Sequence, residues 1–548
     1  MRSGEKGCVG PRPMAASTGW HWWKAALICL LLAVVHTWPL ATAPQRLARH
    51  DNADVMLNEW IVAWVQHQLP RNPLTLFEAN IFFPAHDTLA FSEPLIVPAL
   101  IGAPARLLGG TPVLVHNLLV IVGLTLSALA AYALAYAWTA DRLASLVAAS
   151  GFAFNTHVLL RTTHLQALHA YGLPLAVLAA DRLVLSRRTR DAVWLAIWLA
   201  VLAFTSLYLA MFGIVAVAVS VLVRYRDWIH QWRLALPRFV LAAALSSLFV
   251  LPLVVAYGRV ATHQRMTRSL ENVSEFSATV RAYLAPRGGY SELDSFFPGI
   301  AVSILALAAV MFAWSREPNG ILSKRRVAML VAIGFAGFML SLGTNTPVYA
   351  WLYRAFPPLT GIRVAARFAM LFLFAVAILA GIGASRVRRS RVFGRWSAAT
   401  VIAMILVVNA EATRAPFEYR TFDGIPNLYS VLEREPGRVV LVEQPFYPPE
   451  GIFENAEYVL NSTAHWRPLM NGYSGFIPQS YREYVKTFWF FPREHAIDAM
   501  RRAGVTHVIV HLQRFGADAA DVEDALQKSP YFERLAVGSR GLALYRLH

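Results

Sequence analysis

Apolar residues gather along the chain in runs near 24–40, 112–138, 143–160, 165–185, 191–206, 207–223, 234–256, 298–314, 327–343, 365–384 and 396–411, with short polar stretches between them. A hydrocarbon core about 30 Å thick takes roughly 17–25 helical residues to cross. The pattern therefore predicts about eleven transmembrane helices. Residues 94–108 are also apolar, but Pro94, Pro98 and Pro104 and the short length predict a re-entrant or interfacial segment. Beyond 411 the pattern changes. RVVLVEQ (438–444) and THVIVHL (506–512) predict short buried strands, and residues 492–504 and 518–529 predict helices. The last residues predict a hairpin around Gly538 to Gly541. The expected fold class is an α-helical polytopic membrane protein with a small C-terminal α/β domain. Its parts are a tail over 1–23, a membrane domain over 24–411 and the α/β domain over 412–548.

Composition agrees with this reading. The 548 residues are 56% hydrophobic and 15% charged, where a soluble chain carries about a quarter charged residues. The net charge of +17 is concentrated in SRRTR (186–190), RYRD (224–227), SKRR (323–326) and SRVRRSRVFGR (385–395), all between apolar runs. Clusters of this kind are kept on the cytoplasmic side, so they explain the charge without nucleic acid as a partner. They place the N-terminus in the cytoplasm and the first run as a retained signal-anchor in a cytoplasmic (inner) membrane. An odd number of spans then puts the C-terminal domain outside. Cys8 and Cys29 are the only cysteines, so no disulfide framework or Cys-based zinc site is available, and no metal ligands are assigned.

The loops near 41–111, 257–297 and 344–364 fall on the outer side and are the long ones. No G-x-x-x-x-G-K-[ST] phosphate loop appears in the chain. Chemistry on that side needs a donor that reaches it through the membrane. The first of these loops opens with HDNADVMLNEWIVAW (50–64), in which Leu57, Trp60, Ile61, Trp64 and Val65 form a helical stripe. The stripe predicts an amphipathic helix at a membrane interface, with Asp54 at or near its N-terminus. Two readings of Asp54 stand side by side: a helix cap, or a carboxylate kept ionised by the helix dipole for use as a base. Glu78, His86, Asp87 and Glu93 follow in the same loop. Arg363 and Arg367, four apart, would share one face of a helix entrance and either clamp a phosphate or snorkel to lipid. Arg259, Arg265 and Arg268 add charge to that side. His164 and Gln166 would line a sugar pocket or serve as interhelical hydrogen-bond partners. HWRPLMNGYSGF (465–476) suits sugar binding or plain packing, and none of its residues is assigned a role.

These stretches resemble a known family. ADVMLNEWIVAW looks like the GD-x-L-L-N-x-W-I-L-A-W pattern of large bacterial GT-C-like proteins, and NIFFPAHDTLAFSEP like their N-I-F-Y-P-x-x-x-T-L-A-Y-S-E-H. HLQ (164–166), GIRVAARF (361–368) and VLNSTAHWRPLMNGYSGFIPQSY (459–481) resemble further shared elements. Ala53, Pro94 and Ala365 stand where the patterns have Gly, His and Pro. GT-C enzymes are membrane glycosyltransferases that use polyprenyl-phosphate sugar donors. The resemblance implies inverting transfer to an envelope glycan, glycolipid or protein acceptor, with no certain cofactor. It implies Asp54 as base, Asp51 as the nearest alternative, Glu93 orienting the acceptor, and Arg363 and Arg367 on the leaving phosphate. The competing expectations are a transporter or flippase of lipid-linked sugars, a non-catalytic envelope-assembly protein on the same fold, and a membrane O-acyltransferase.

Overall fold

The computed structural model describes residues 20–264, 269–285, 293, 295–314, 320–539 and 541–548; Arg265 and Arg268 lie outside them. Helices form on each of the apolar runs. α1 (Trp20–His36) is followed by α2 (Ala53–Gln68), α3 (Ile96–Leu107) and α4 (Pro112–Thr139). The next two runs are each broken. α5 (Arg142–Ala153) and α6 (Thr156–Leu160) divide one, α7 (Leu165–Leu168) and α8 (Gly172–Ser186) the other. Asn155 makes the first break: its Nδ2 donates to the carbonyls of Gly151 and Phe152 at 3.2 and 2.8 Å, while its Oδ1 accepts the Val158 N–H at 3.0 Å. One side chain closes a helix and caps the next.

The chain continues through α9 (Thr189–Thr205), α10 (Leu207–Val223), α11 (Tyr225–Trp228), α12 (Trp232–His263), α13 (Leu270–Glu275) and α14 (Ile300–Met311). α15 (Gly320–Ser341), α16 (Pro347–Ala355), α17 (Ala369–Arg389) and α18 (Ser397–Ala412) complete the helical part. Among the described residues, five helical stretches are long and apolar enough to cross a membrane: Pro112–Thr139, Arg142–Leu160, Tyr225–His263, Ala365–Arg389 and Gly394–Ala412. At the centre α17 packs against α5, α14 and α15. A side chain at Gly383 of α17 would collide with the Leu305 carbonyl of α14, so the small residue sets how closely these helices approach.

The basic clusters converge at one end. Asp181 of α8 lies between Arg224 and Arg326, and Asp227 between Arg224 and Arg325. Arg388 of α17 pairs with Asp141 at 3.4 Å.

After α18, a four-stranded sheet is built from β3 (Leu441–Gln444), β4 (His507–His511), β5 (Phe532–Val537) and β6 (Leu542–Leu547), once the two-residue strands β1 (Leu47–Ala48) and β2 (Arg420–Thr421) have paired elsewhere. The order is β3-β4-β6-β5. β3 and β4 run parallel, Val442 opposite Val508, and the other neighbours are antiparallel. β3 is buried at all four positions, and its buried Glu443 is held by the Tyr429 hydroxyl at 2.6 Å and His511 Nε2 at 2.7 Å. Around the sheet stand α19 (Tyr429–Arg434), α20 (Ala456–Asn461), α21 (Gln479–Phe488), α22 (Glu494–Arg502) and α23 (Ala519–Lys528). The two expected strands, two expected helices and final hairpin all fall within their predicted stretches.

The structure corrects the expectation for α2. It is not an interfacial helix with one apolar face in lipid, because Val55 and every residue from Leu57 to Val65 are buried. α20, α3 and α4 cover it. Its tryptophans are satisfied internally, the Trp60 indole N–H donating to Asn80 Oδ1 at 3.2 Å and that of Trp64 to the Leu76 carbonyl at 2.8 Å. The loop after α2 joins the sheet domain backbone to backbone, Phe82 N–H to the Asn471 carbonyl and Phe83 N–H to the Leu469 carbonyl, both at 3.0 Å.

Candidate active site

The first turn of α2 begins at an extended residue, Asn52, whose Oδ1 accepts the Asp54 N–H at 2.9 Å. Asn52 is therefore the cap, and Asp54 is the second residue of the helix. Its carboxylate is used elsewhere. Oδ1 accepts the Tyr473 hydroxyl at 2.7 Å, and Oδ2 lies 3.3 Å from His164 Nε2. Burial, the largest influence, works against the charged form. The bonds and charge from His164, the Tyr473 hydroxyl and the Arg367 charge outweigh it and hold Asp54 below the usual carboxylate range. Asp54 pushes the Tyr473 phenol upward in turn, second to burial.

His164 reaches this position because the helix is broken there. It precedes α7, its Nδ1 lies 3.1 Å from the Thr163 hydroxyl, and the Thr163 carbonyl accepts from Asn58 of α2 at 3.0 Å. With a carboxylate facing it, Nε2 carries the hydrogen that it donates to Asp54.

Glu93, from the same loop, is half-buried at the start of α10, where its carboxylate accepts the Leu207 N–H at 2.8 Å. Burial raises its pKa, and the Leu207 N–H, the Arg367 charge, the Ser206 hydroxyl and the Arg161 charge only partly offset the rise. The two carboxyl groups are thus driven in opposite directions, one toward a standing negative charge and the other toward holding a proton.

Arg363 and Arg367 do not share a helical face as expected. Arg363 precedes the 3-10 turn Ala365–Phe368 that contains Arg367. Extended backbone at Ile362 and the start of the turn only at Ala365 remove the four-residue spacing of an α-helix. The Tyr208 hydroxyl fixes this backbone by accepting the N–H groups of Arg363 and Val364 at 3.1 and 3.0 Å. The Arg367 guanidinium lies 4.9 Å over the Tyr208 ring and that of Arg363 lies 4.3 Å over Phe276. Both still reach the site by charge, Arg367 at Asp54 and Glu93, and Arg363 at Tyr473.

Asp51 stands apart in an exposed pair with Arg49, 3.1 Å between Nε and Oδ1. Gln166 is buried, and its Oε1 has no hydrogen-bond partner among the described residues. Asp87 ties the loop to α12 through Arg259, with Nε 2.8 Å from Oδ2. Tyr473, Tyr208 and Arg161 were not singled out by the sequence. Only Tyr473 carried a signal, its place in the polar, aromatic GYSGF stretch.

Comparison with solved structures finds the same arrangement of a helical bundle with a small α/β domain. The sequence matches no protein-family model and no curated protein. The arabinofuranosyltransferase AftD from Mycobacteria superposes with a TM-score of 0.62 at 15% identity, over 97% of this chain and 40% of that one. The chain therefore spans less than half the length of that protein. The oligosaccharyltransferase AglB from Archaeoglobus fulgidus gives a TM-score of 0.49 at 13% identity, over 95% of this chain and 73% of that one. ArnT from Cupriavidus metallidurans gives 0.38 at 12% identity, over 97% and 98%. The chain thus shares the fold of the AftD arabinofuranosyltransferase over nearly its whole length.

Proposed function

We propose that this chain is an inverting membrane glycosyltransferase that takes a sugar from a polyprenyl-phosphate donor and gives it to an envelope glycan, glycolipid or protein acceptor. The observation that carries the reading is Asp54. It is not its helix's cap, it is half-buried, and it is held ionised by His164, Tyr473 and the Arg367 charge. Arabinofuranosyl transfer by AftD, whose fold this chain shares, supports the same class of reaction.

In this reading the acceptor hydroxyl gives its proton to Asp54, and its oxygen forms the new bond at the anomeric carbon from the face opposite the phosphate. The bond from that carbon to the phosphate oxygen breaks, and the electron pair leaves with polyprenyl phosphate. Arg367 and Arg363 stabilise the charge gathering there. Glu93 binds the acceptor hydroxyls. The site faces the extracytoplasmic side, where a lipid-linked donor presents its head group. α17 supports this sidedness, since it runs from the Arg367 end to the cluster around Arg388 that the inside rule assigns to the cytoplasm.

The test is Asp54→Asn assayed in membranes with a polyprenyl-phosphate sugar at matched protein level. Asn52 keeps the cap, so the variant should insert normally and lose roughly 10²–10⁴-fold in transfer. Full activity would remove Asp54 from the mechanism. Asp51→Asn is the matched control and should leave transfer near wild type.

A further inference from the structure

A pocket of about 290 Å³ opens at the other end of α2, lined by Gln66, His67, Arg71, Arg106, Glu433 and Trp466. His67 is thirteen residues beyond Asp54, so the two sites are separated by about 20 Å of helix. The floor is aromatic, with the His67 and Trp466 rings stacked at 4.3 Å between centroids. The walls are basic. Arg71 donates to the His67 carbonyl at 2.7 Å and Arg106 to the Gly110 carbonyl at 2.9 Å, which fixes both guanidinium groups. Neither arginine is paired with a carboxylate among the described residues. Both press on the imidazole, which burial and these two charges push down to about 4 and so leave neutral.

The rim is apolar. Leu74, Leu107 and Leu108 are 94%, 86% and 89% exposed, three or fewer residues from the pocket's two arginines. Leu108 is followed within four residues by Pro112, where a membrane-crossing helix begins. The pocket therefore lies at the level where the chain enters hydrocarbon. Leucines directed at acyl chains beside a fixed pair of guanidinium groups match an anionic lipid, tails outward and phosphate inward.

We propose that this pocket binds the phosphate head group of an anionic membrane lipid, apart from the site at Asp54. The assignment does not rest on the transferase reading, and its test reads binding alone. The full-length protein in detergent is titrated with dioleoyl phosphatidylglycerol, with dioleoyl phosphatidylcholine and with inorganic phosphate, and adducts are followed by native mass spectrometry. Phosphatidylglycerol should bind most tightly, and Arg71→Gln with Arg106→Gln should weaken it about tenfold or more, as expected for loss of hydrogen bonds to a charged group. Glu433→Gln, which removes the exposed opposing charge at the rim and spares the fold, should tighten it. Unchanged affinity in the double variant, or no tightening in Glu433→Gln, overturns the site. Equal retention of inorganic phosphate and phosphatidylglycerol overturns the lipid and leaves a free-phosphate site.

Discussion

At the basic end of the bundle Asp181 is gripped by Arg224 and Arg326 with only 2% of its side chain exposed, whereas at the opposite end Asp54 meets Tyr473 and His164 with 36% exposed. Both are carboxylates held by side chains from other helices or loops. The forked guanidinium groups of Arg saturate the lone pairs of Asp181 and neutralise its charge, so that it joins helices and does nothing else. A phenol and an imidazole stabilise the charge of Asp54 yet leave an accessible acceptor. The difference separates a carboxylate used for assembly from one available to take a proton.

The largest effect should come from treating the two alike. Asp181→Asn leaves Arg326 without its counter-charge and the buried Arg224 with Asp227 alone, and breaking a buried pair costs about 3–5 kcal/mol. That variant should lose its monodisperse peak in detergent and its thermal transition. Asp54→Asn should keep both and lose transfer. A stable, folded Asp181→Asn protein would dissolve the distinction between the ends.

Arg367→Lys gives the next effect. Lysine keeps the charge that acts on Asp54 and Glu93 but loses the planar fork and its seat over Tyr208. Hydrogen bonds to charged groups contribute about 1.5–3 kcal/mol, so donor use should fall roughly 10- to 100-fold, read as kcat/KM for the lipid-linked donor. Arg363→Ala, at an exposed position, should fall less. Normal turnover by both variants would move the phosphate clamp elsewhere.

How much of this was legible in the sequence depends on the range of the interactions. The helical runs, β3, β4, α22, α23 and the final hairpin follow from local periodicity and turn residues, and all were readable. The break before α6 was not, because its cause is a side chain folding back at Asn155 inside an apolar run. The stripe on α2 was read correctly as apolar, but its surroundings were not. A buried helix and an interfacial one share a pattern when the covering element, here α20, is some 400 residues away in sequence. The identity of the cap was within reach, since Asn52 caps as well as Asp. Tyr473 was out of reach as a partner of Asp54, because nothing local fixes which face of a distant loop meets which helix.

The smallest and most diagnostic effect is expected from Tyr473→Phe. The change keeps the ring and removes one hydrogen bond from Asp54, so the fold should stand and transfer at neutral pH should fall only several-fold. The sign of the pH effect separates a positioning role from packing. The native environment lowers the Asp54 pKa, so the ionised form is favoured by the fold. That stabilisation is complete above the ordinary Asp value of about 3.9 and is lost as pH falls through the lower folded value. Removing the Tyr473 hydroxyl returns Asp54 toward its ordinary value, and the acid limb of kcat/KM should move to higher pH. His164→Gln should move it the same way, because His164 is the larger influence after burial. An acid limb that stays in place in Tyr473→Phe, with transfer reduced equally at every pH, would make Tyr473 a packing residue and leave Asp54 dependent on His164 alone.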